Sequence, residues 1–176
     1  PTVMDLMLTE IADPAGNGDF VEIYNAGDAA VDFTNIPWYL TAYNGMNYTN
    51  VKLAGTLAAG DVFVIAGTGY AYTGKPSDQT STVVDGTGNL DMFLTMYNPY
   101  TDGMVIDLYE GNGYTGGHAV RLYDVDAPAT VFDAMEWSEL PGEPAAMTPG
   151  SHKQTLTWQG DSGSDWLNND NWATSY

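Results

Sequence analysis

Apolar and polar residues alternate through short runs, and Gly, Asn, Asp or Pro breaks the pattern about every ten residues. In FVEIYN, Phe20, Glu22 and Tyr24 fall on one face and Val21, Ile23 and Asn25 on the other, the period-two signature of a strand. MVIDLYE repeats it, with Val105, Asp107 and Tyr109 opposite Ile106 and Leu108. Further strand signals are DLMLTEIA, AVDF, WYLTAYN, VKLAGTLAAG, DVFVIAG, DMFLTMYN, HAVRLYDV, TVFDAMEW and KQTLTWQG. The long Gly/Ser/Thr-rich connection before DMFLTMYN predicts one more edge strand, at STVV. No segment holds a 3.6-residue period over about twelve positions, because Gly or Pro interrupts each candidate helix. Many short strands without helices predict an all-β, antiparallel sandwich or barrel.

Composition narrows this further. The 176 residues suffice for one domain with a proper core, and 44% hydrophobic residues indicate a globular chain. No run reaches the roughly 18 apolar residues of a membrane span. The first residues, PTVMDLMLTE, look like neither a signal peptide nor an initiator Met, so the expectation is a processed or excised chain. Four cations face 23 acids, a formal net charge of −19 that disfavours nucleic-acid binding. Of those acids 17 are Asp and 6 are Glu, which spreads the charge over turns. Cys is absent, so disulfides, thiolate catalysis and Cys-based zinc sites are excluded. Acidity, few lysines and many Asn, Gly and Thr point to an extracellular or cell-surface setting, in which divalent ions screen the self-repulsion.

Candidate chemistry begins with Glu10 and Glu22, on neighbouring predicted strands. A glycosidase pairs two carboxylates roughly 5 to 10 Å apart across a sugar cleft. No His, Ser nucleophile or Lys accompanies this pair in sequence, which favours a structural role as hydrogen-bond acceptors. In the loop DPAGNGD, Asp13, Asn17 and Asp19 set hard oxygen ligands at a spacing that suits calcium. The same residues make an Asx/Gly hairpin turn, and the turn reading is favoured. DSGSDWLNND offers Asp161, Asp165 and Asp170 as a second, irregular calcium loop. It is not an EF-hand, since Gly163 takes an oxygen position and the closing Glu is missing. Trp158, Trp166 and Trp172 form a sugar-stacking platform, close one end of the sandwich or dock on a partner. Trp38 and Trp137 read as core. Arg121, alone among acids in HAVRLYD, reads as half of a structural ion pair. His118 and His152 lie far apart in sequence, and NYT at residues 47 to 49 is a glycosylation sequon.

The order of these segments resembles the lamin-tail domain in its bacterial secreted and surface form. The likeness rests on LMLTEIADPAGNGDFVEIYNAGDAAVDFTNI as the opening strand pair, PWYLTAYNG as the Trp-centred strand, and GTLAAGDVFVIAG as a turn into an apolar strand. GMVIDLYEGNGY, GHAVRLYDV and MTPGSHK stand for the closing elements. Pro37 precedes Trp38 where the family usually has a small residue, and Glu110 intervenes before Gly111. The resemblance implies an immunoglobulin-like β-sandwich over residues 1–155, leaving 156–176 as an aromatic tail that packs on the domain or on a neighbour. It also implies an interaction, adhesion or structural module with no catalytic residues to carry over.

The sequence therefore predicts a non-catalytic extracellular domain that associates with itself or with a cell-surface polymer, with calcium as its one candidate cofactor. A calcium-dependent carbohydrate-binding module is the alternative, and a glycan-active enzyme using Glu10 and Glu22 the third reading.

Overall fold

Strands β1 (Leu6–Asp13) and β2 (Phe20–Asn25) form a hairpin at the centre of a six-stranded sheet. In this computed structural model, residues 5–14, 18–72, 75–99, 101–111, 117–141, 147–152, 155–158 and 172–175 are described. The other strands are β3 (Val31–Asp32), β4 (Trp38–Tyr43), β5 (Tyr48–Lys52), β6 (Thr56–Leu57), β7 (Val62–Ala66), β8 (Gln79–Thr80), β9 (Asp91–Met96), β10 (Met104–Tyr109), β11 (Gly117–Arg121), β12 (Trp137–Pro141), β13 (Thr155–Trp158) and β14 (Trp172–Ser175). The larger sheet has the order β12-β11-β1-β2-β7-β8 and the smaller β10-β9-β4-β5. Apart from the parallel β7–β8 edge, every pairing within both sheets is antiparallel. The predicted all-β sandwich is thus the fold.

The core lies between the two sheets because alternate residues of each point inward. Leu8, Ile11, Val21, Ile23, Phe63 and Ile65 meet Trp38, Leu40, Met92, Leu94 and Ile106, all buried. Trp38 is fully buried, and Trp137 is buried at the β12 end. Arg121 also points inward. Its guanidinium bonds the Asp107 carboxylate of the opposite sheet at 2.5 Å and Glu136 at 2.5 Å, and stacks 5.3 Å over Trp137. Asn25, buried at the end of β2, donates to the carbonyls of Ala29, Leu57 and Ala58 and so pins the loops that follow.

Three local expectations are corrected. STVV is not a strand: Thr82–Val84 is a 3-10 turn capped by the Ser81 hydroxyl, and it drives Val84 into the core. The edge strand is the two residues before it. TVFDAMEW begins as loop and a 3-10 turn at Ala134–Glu136, capped by Asp133, and becomes strand only at Trp137. A β-bulge between Val105 and Asp107 breaks the expected alternation of β10, so that Ile106 and Tyr109 both join the core while Asp107 meets Arg121.

Candidate functional site: a carboxylate pair beneath a strap

Most residues on the outer face of the larger sheet follow from period-two alternation, but Glu10 does not. In LTEI, Leu8 and Ile11 are both core residues although they lie three positions apart, an odd spacing that strict alternation would put on opposite faces. The register shifts between Leu8 and Glu10, so Thr9 is the extra residue of a bulge. Thr9 and Glu10 then share the outer face. Beyond the bulge Glu10 stands directly opposite Glu22 on β2.

Both acids are nearly sealed, Glu10 at 2% and Glu22 at 1% exposure. The cover is a strap, residues 147–152, whose Met147 packs on Ala12, Phe20 and Val64. Tyr70 and Tyr72 complete this small outer core, each edge-on to Phe20, and the Tyr72 hydroxyl reaches the Met147 sulfur at 3.0 Å. The strap aims polar groups at the acids. Thr148 gives its amide to Glu10 at 3.1 Å and its hydroxyl at 3.0 Å. The Gly150 amide reaches Glu22 at 2.5 Å, and the Thr9 hydroxyl bonds the other Glu22 oxygen at 2.7 Å. Gly150 has φ 86°, and a Cβ there would lie 2.7 Å from Lys75 Cγ, so a glycine is required to bring this amide inward.

Burial makes the pair hold a proton at neutral pH. Burial, then repulsion from Glu22, pushes Glu10 up to about 8 despite the Thr148 donors. Burial pushes Glu22 up to about 6, against the lowering by Thr9, the Gly150 and Ser151 amides and Lys75. Two like charges in one dry site favour one proton between them.

Glu10 and Glu22 line a cleft of about 390 Å3 together with, among others, Thr9, His118, Thr148, Ser151 and His152. The sequence did not connect His118 and His152 with the acids, and the fold brings all four to one face. His118 Nε2 is 3.9 Å from Glu10, too long for a hydrogen bond, and burial lowers its pKa, so the imidazole stays neutral. His152 packs on Tyr24 at 5.0 Å between ring centroids. The only signal was that 10, 22 and 118 occupy outward positions of paired strands, which needs the register to be known, while His152 arrives with the strap.

The first calcium candidate divides. Asp13 accepts from the Gly88 amide at 3.0 Å and Asp19 from the Gly86 amide at 2.6 Å, so both fasten the β1–β2 hairpin to the turn at residues 86–88. The second Asp19 oxygen is buried without a hydrogen-bond partner among the described residues. Among the described residues no three His, Asp or Glu side chains gather closely enough to hold a metal ion. Asn17 lies outside the described residues, as do Asp161, Asp165, Asp170 and Trp166. Trp158 and Trp172 are opposite one another in the two-stranded β13–β14 pair.

The family model described as Lamin Tail Domain matches residues 1–139, more than half the chain. The chain belongs to the lamin tail domain family. A comparison with curated proteins gave no match. Lamin tail domains are immunoglobulin-like modules, generally non-catalytic, with structural or interaction roles. The matched span contains Glu10, Glu22, His118 and Arg121, whereas the strap that covers the acids in this lamin tail domain lies beyond it.

Proposed function

We propose that this lamin tail domain is a non-catalytic extracellular module that joins copies of itself, or joins its parent structure to a cell-surface polymer. One observation carries the non-catalytic part. The one converging acid pair singled out as catalytic is 2% and 1% exposed and has its oxygens taken up by Thr9, Thr148 and Gly150. Carboxyls so enclosed and so occupied favour a fastening role, holding the strap onto β1 and β2, over attack on a glycosidic bond. Acidity, with a net charge of −19, few lysines and many Asn, Gly and Thr support an extracellular setting. For association, β5 and β10 are the edges of the smaller sheet among the described strands, the positions at which an added strand would pair. Substituting Glu10 or Glu22 with Gln tests the assignment. Lowered stability of the Glu22→Gln variant with no turnover of any glycan supports it, and glycan hydrolysis abolished by either change refutes it. Electron microscopy of the purified chain with millimolar calcium tests association, and persistent monomers count against it.

The calcium-dependent reading rests on the unpaired buried oxygen of Asp19. Burial, more than repulsion from Asp13 and Asp85, raises its pKa, and a bound cation would relieve both effects.

A further inference from the structure

The outer face of the smaller sheet holds a second cavity, of about 420 Å3, across the sandwich from Glu10 and Glu22. Strand register builds it. Trp38, Leu40 and Ala42 of β4 point into the core, as do Met92, Leu94 and Met96 of β9. Thr41, Tyr43, Phe93 and Thr95 therefore point outward. Thr41 stands opposite Phe93 on one side and Asn50 on the other, and Tyr43 stands opposite Tyr48. Tyr48 stacks on Tyr43 at 4.3 Å, and its ring lies 6.4 Å from that of Phe93. These rings wall a hollow whose lining includes the Thr41 and Thr95 hydroxyls. Val105 and Pro99 line the far side. There the chain folds back so closely that a Cβ on Gly103 would lie 2.5 Å from Pro99 Cα, so only glycine lets the two segments of this wall meet.

The decisive group is Thr41. It is 3% exposed, and its hydroxyl has no hydrogen-bond partner among the described residues. Buried hydroxyls are ordinarily paired, and one left open beneath a preformed cavity points to a ligand that completes it. The Thr95 hydroxyl is little better served, reaching the Tyr39 carbonyl only at 3.5 Å. Among the described residues the lining holds no charged side chain. An anion would meet a chain of net charge −19, and a cation would find no carboxylate among the described lining residues. A wholly apolar ligand would leave Thr41 as it is. A neutral ring with a C–H face and hydroxyls at its rim satisfies both the aromatic walls and the Thr floor. The volume falls in the range of about 300–1,000 Å3 typical of small-molecule sites.

We propose that this cavity binds a neutral sugar ring of a glycan, its C–H face against Tyr48 and Phe93 and one ring hydroxyl paired with Thr41. The proposal rests on reading the chain as an interaction module, and it places the glycan contact on the smaller sheet. The test probes the full chain with an array of neutral hexose and N-acetylhexosamine oligosaccharides, a hexuronate series and a proline-rich peptide series. Titration calorimetry and amide chemical shifts then follow the best neutral probe. Saturable neutral-sugar binding is expected, with shifts centred on Thr41, Tyr48 and Phe93. Thr41→Val should weaken it about five- to tenfold, and Tyr48→Ala at least about tenfold, with unchanged circular dichroism. Met135→Ala, an exposed site outside the cavity, should leave affinity unchanged. Folded protein that binds no neutral sugar, binds only hexuronates or the peptide, or binds equally in all variants overturns the proposal. Calcium-independent self-association in the same samples would then leave the interaction-module reading standing.

Discussion

Glu10 and Glu22 face each other across the β1–β2 ladder in a site closed by main-chain and hydroxyl donors from the strap and from Thr9. The folded chain keeps a proton there that the unfolded chain releases. Since the folded pKa of Glu10 is raised from 4.5 to about 8, the associated stability is complete below about pH 4.5 and is lost as pH rises to about 8. The loss should be roughly 2–5 kcal/mol. His118, lowered by burial, acts oppositely and weakens the fold as pH falls through its ordinary range. Tyr70 and Tyr72, pushed up to about 12, stay neutral throughout. Urea unfolding between pH 4.5 and 8 checks this, and a flat profile would contradict it.

The two acids should respond differently to amide replacement. Glu10 already carries the proton at neutral pH, so Glu10→Gln should change stability by less than about 1 kcal/mol and flatten the pH profile. Glu22 is the better-donated partner, and Glu22→Gln should cost about 1–3 kcal/mol through the Thr9 and Gly150 donors. Equal effects of the two changes, measured by denaturant midpoints at neutral pH, would reverse the assignment of the proton.

Gly150→Ala attacks the strap alone. The left-handed backbone and the contact with Lys75 predict a loss of about 1–2 kcal/mol. Limited proteolysis should cut faster within 147–152, and amide exchange at Thr148 should accelerate while the central strands stay protected. Loss of protection throughout would mean that the strap is not a separable layer.

Arg121→Met leaves Asp107 buried without its cation, with only the Leu8 and Ala129 amides and no charge opposite. The expected penalty is about 3–5 kcal/mol. Adding Asp107→Leu should restore most of it, because an apolar pair suits this part of the core. Chemical denaturation of the single and double variants decides the matter, and a double variant no more stable than Arg121→Met would locate the effect elsewhere.

If Asp19 ligates calcium, the ion should raise the midpoint of thermal unfolding. Asp19→Asn should then abolish the calcium-dependent part while keeping the Gly86 hydrogen bond largely intact. Identical melting in millimolar calcium and in chelator removes the metal reading for this loop.

The sandwich was legible because alternation in FVEIYN and WYLTAYN survives folding intact, and Trp38, Trp137 and the Arg121 ion pair followed from burial rules applied residue by residue. What the sequence concealed sits where alternation breaks. The bulge at Thr9 gives Glu10 its outward place, and that at Ile106 turns Asp107 toward Arg121. Neither is visible locally, since a bulge is defined by its partner strand. The Tyr48–Phe93 cavity was missed for a related reason. Its walls come from β4, β5, β9 and β10, whose register no single segment encodes.

Strand β1 pairs both with a near neighbour and with a distant one. Its ladder partner on β11 lies over a hundred residues downstream, at Glu10 opposite Val120, and Thr148 reaches the same Glu10 across 138 positions. An emerging polypeptide can make the β1–β2 hairpin early, but this sheet closes only after Gly117–Arg121 has been synthesised, and the strap seats only once residues 147–152 follow. Pairings so distant in sequence slow folding. Conditions that lengthen the interval before the strap arrives should therefore be the ones in which this protein aggregates.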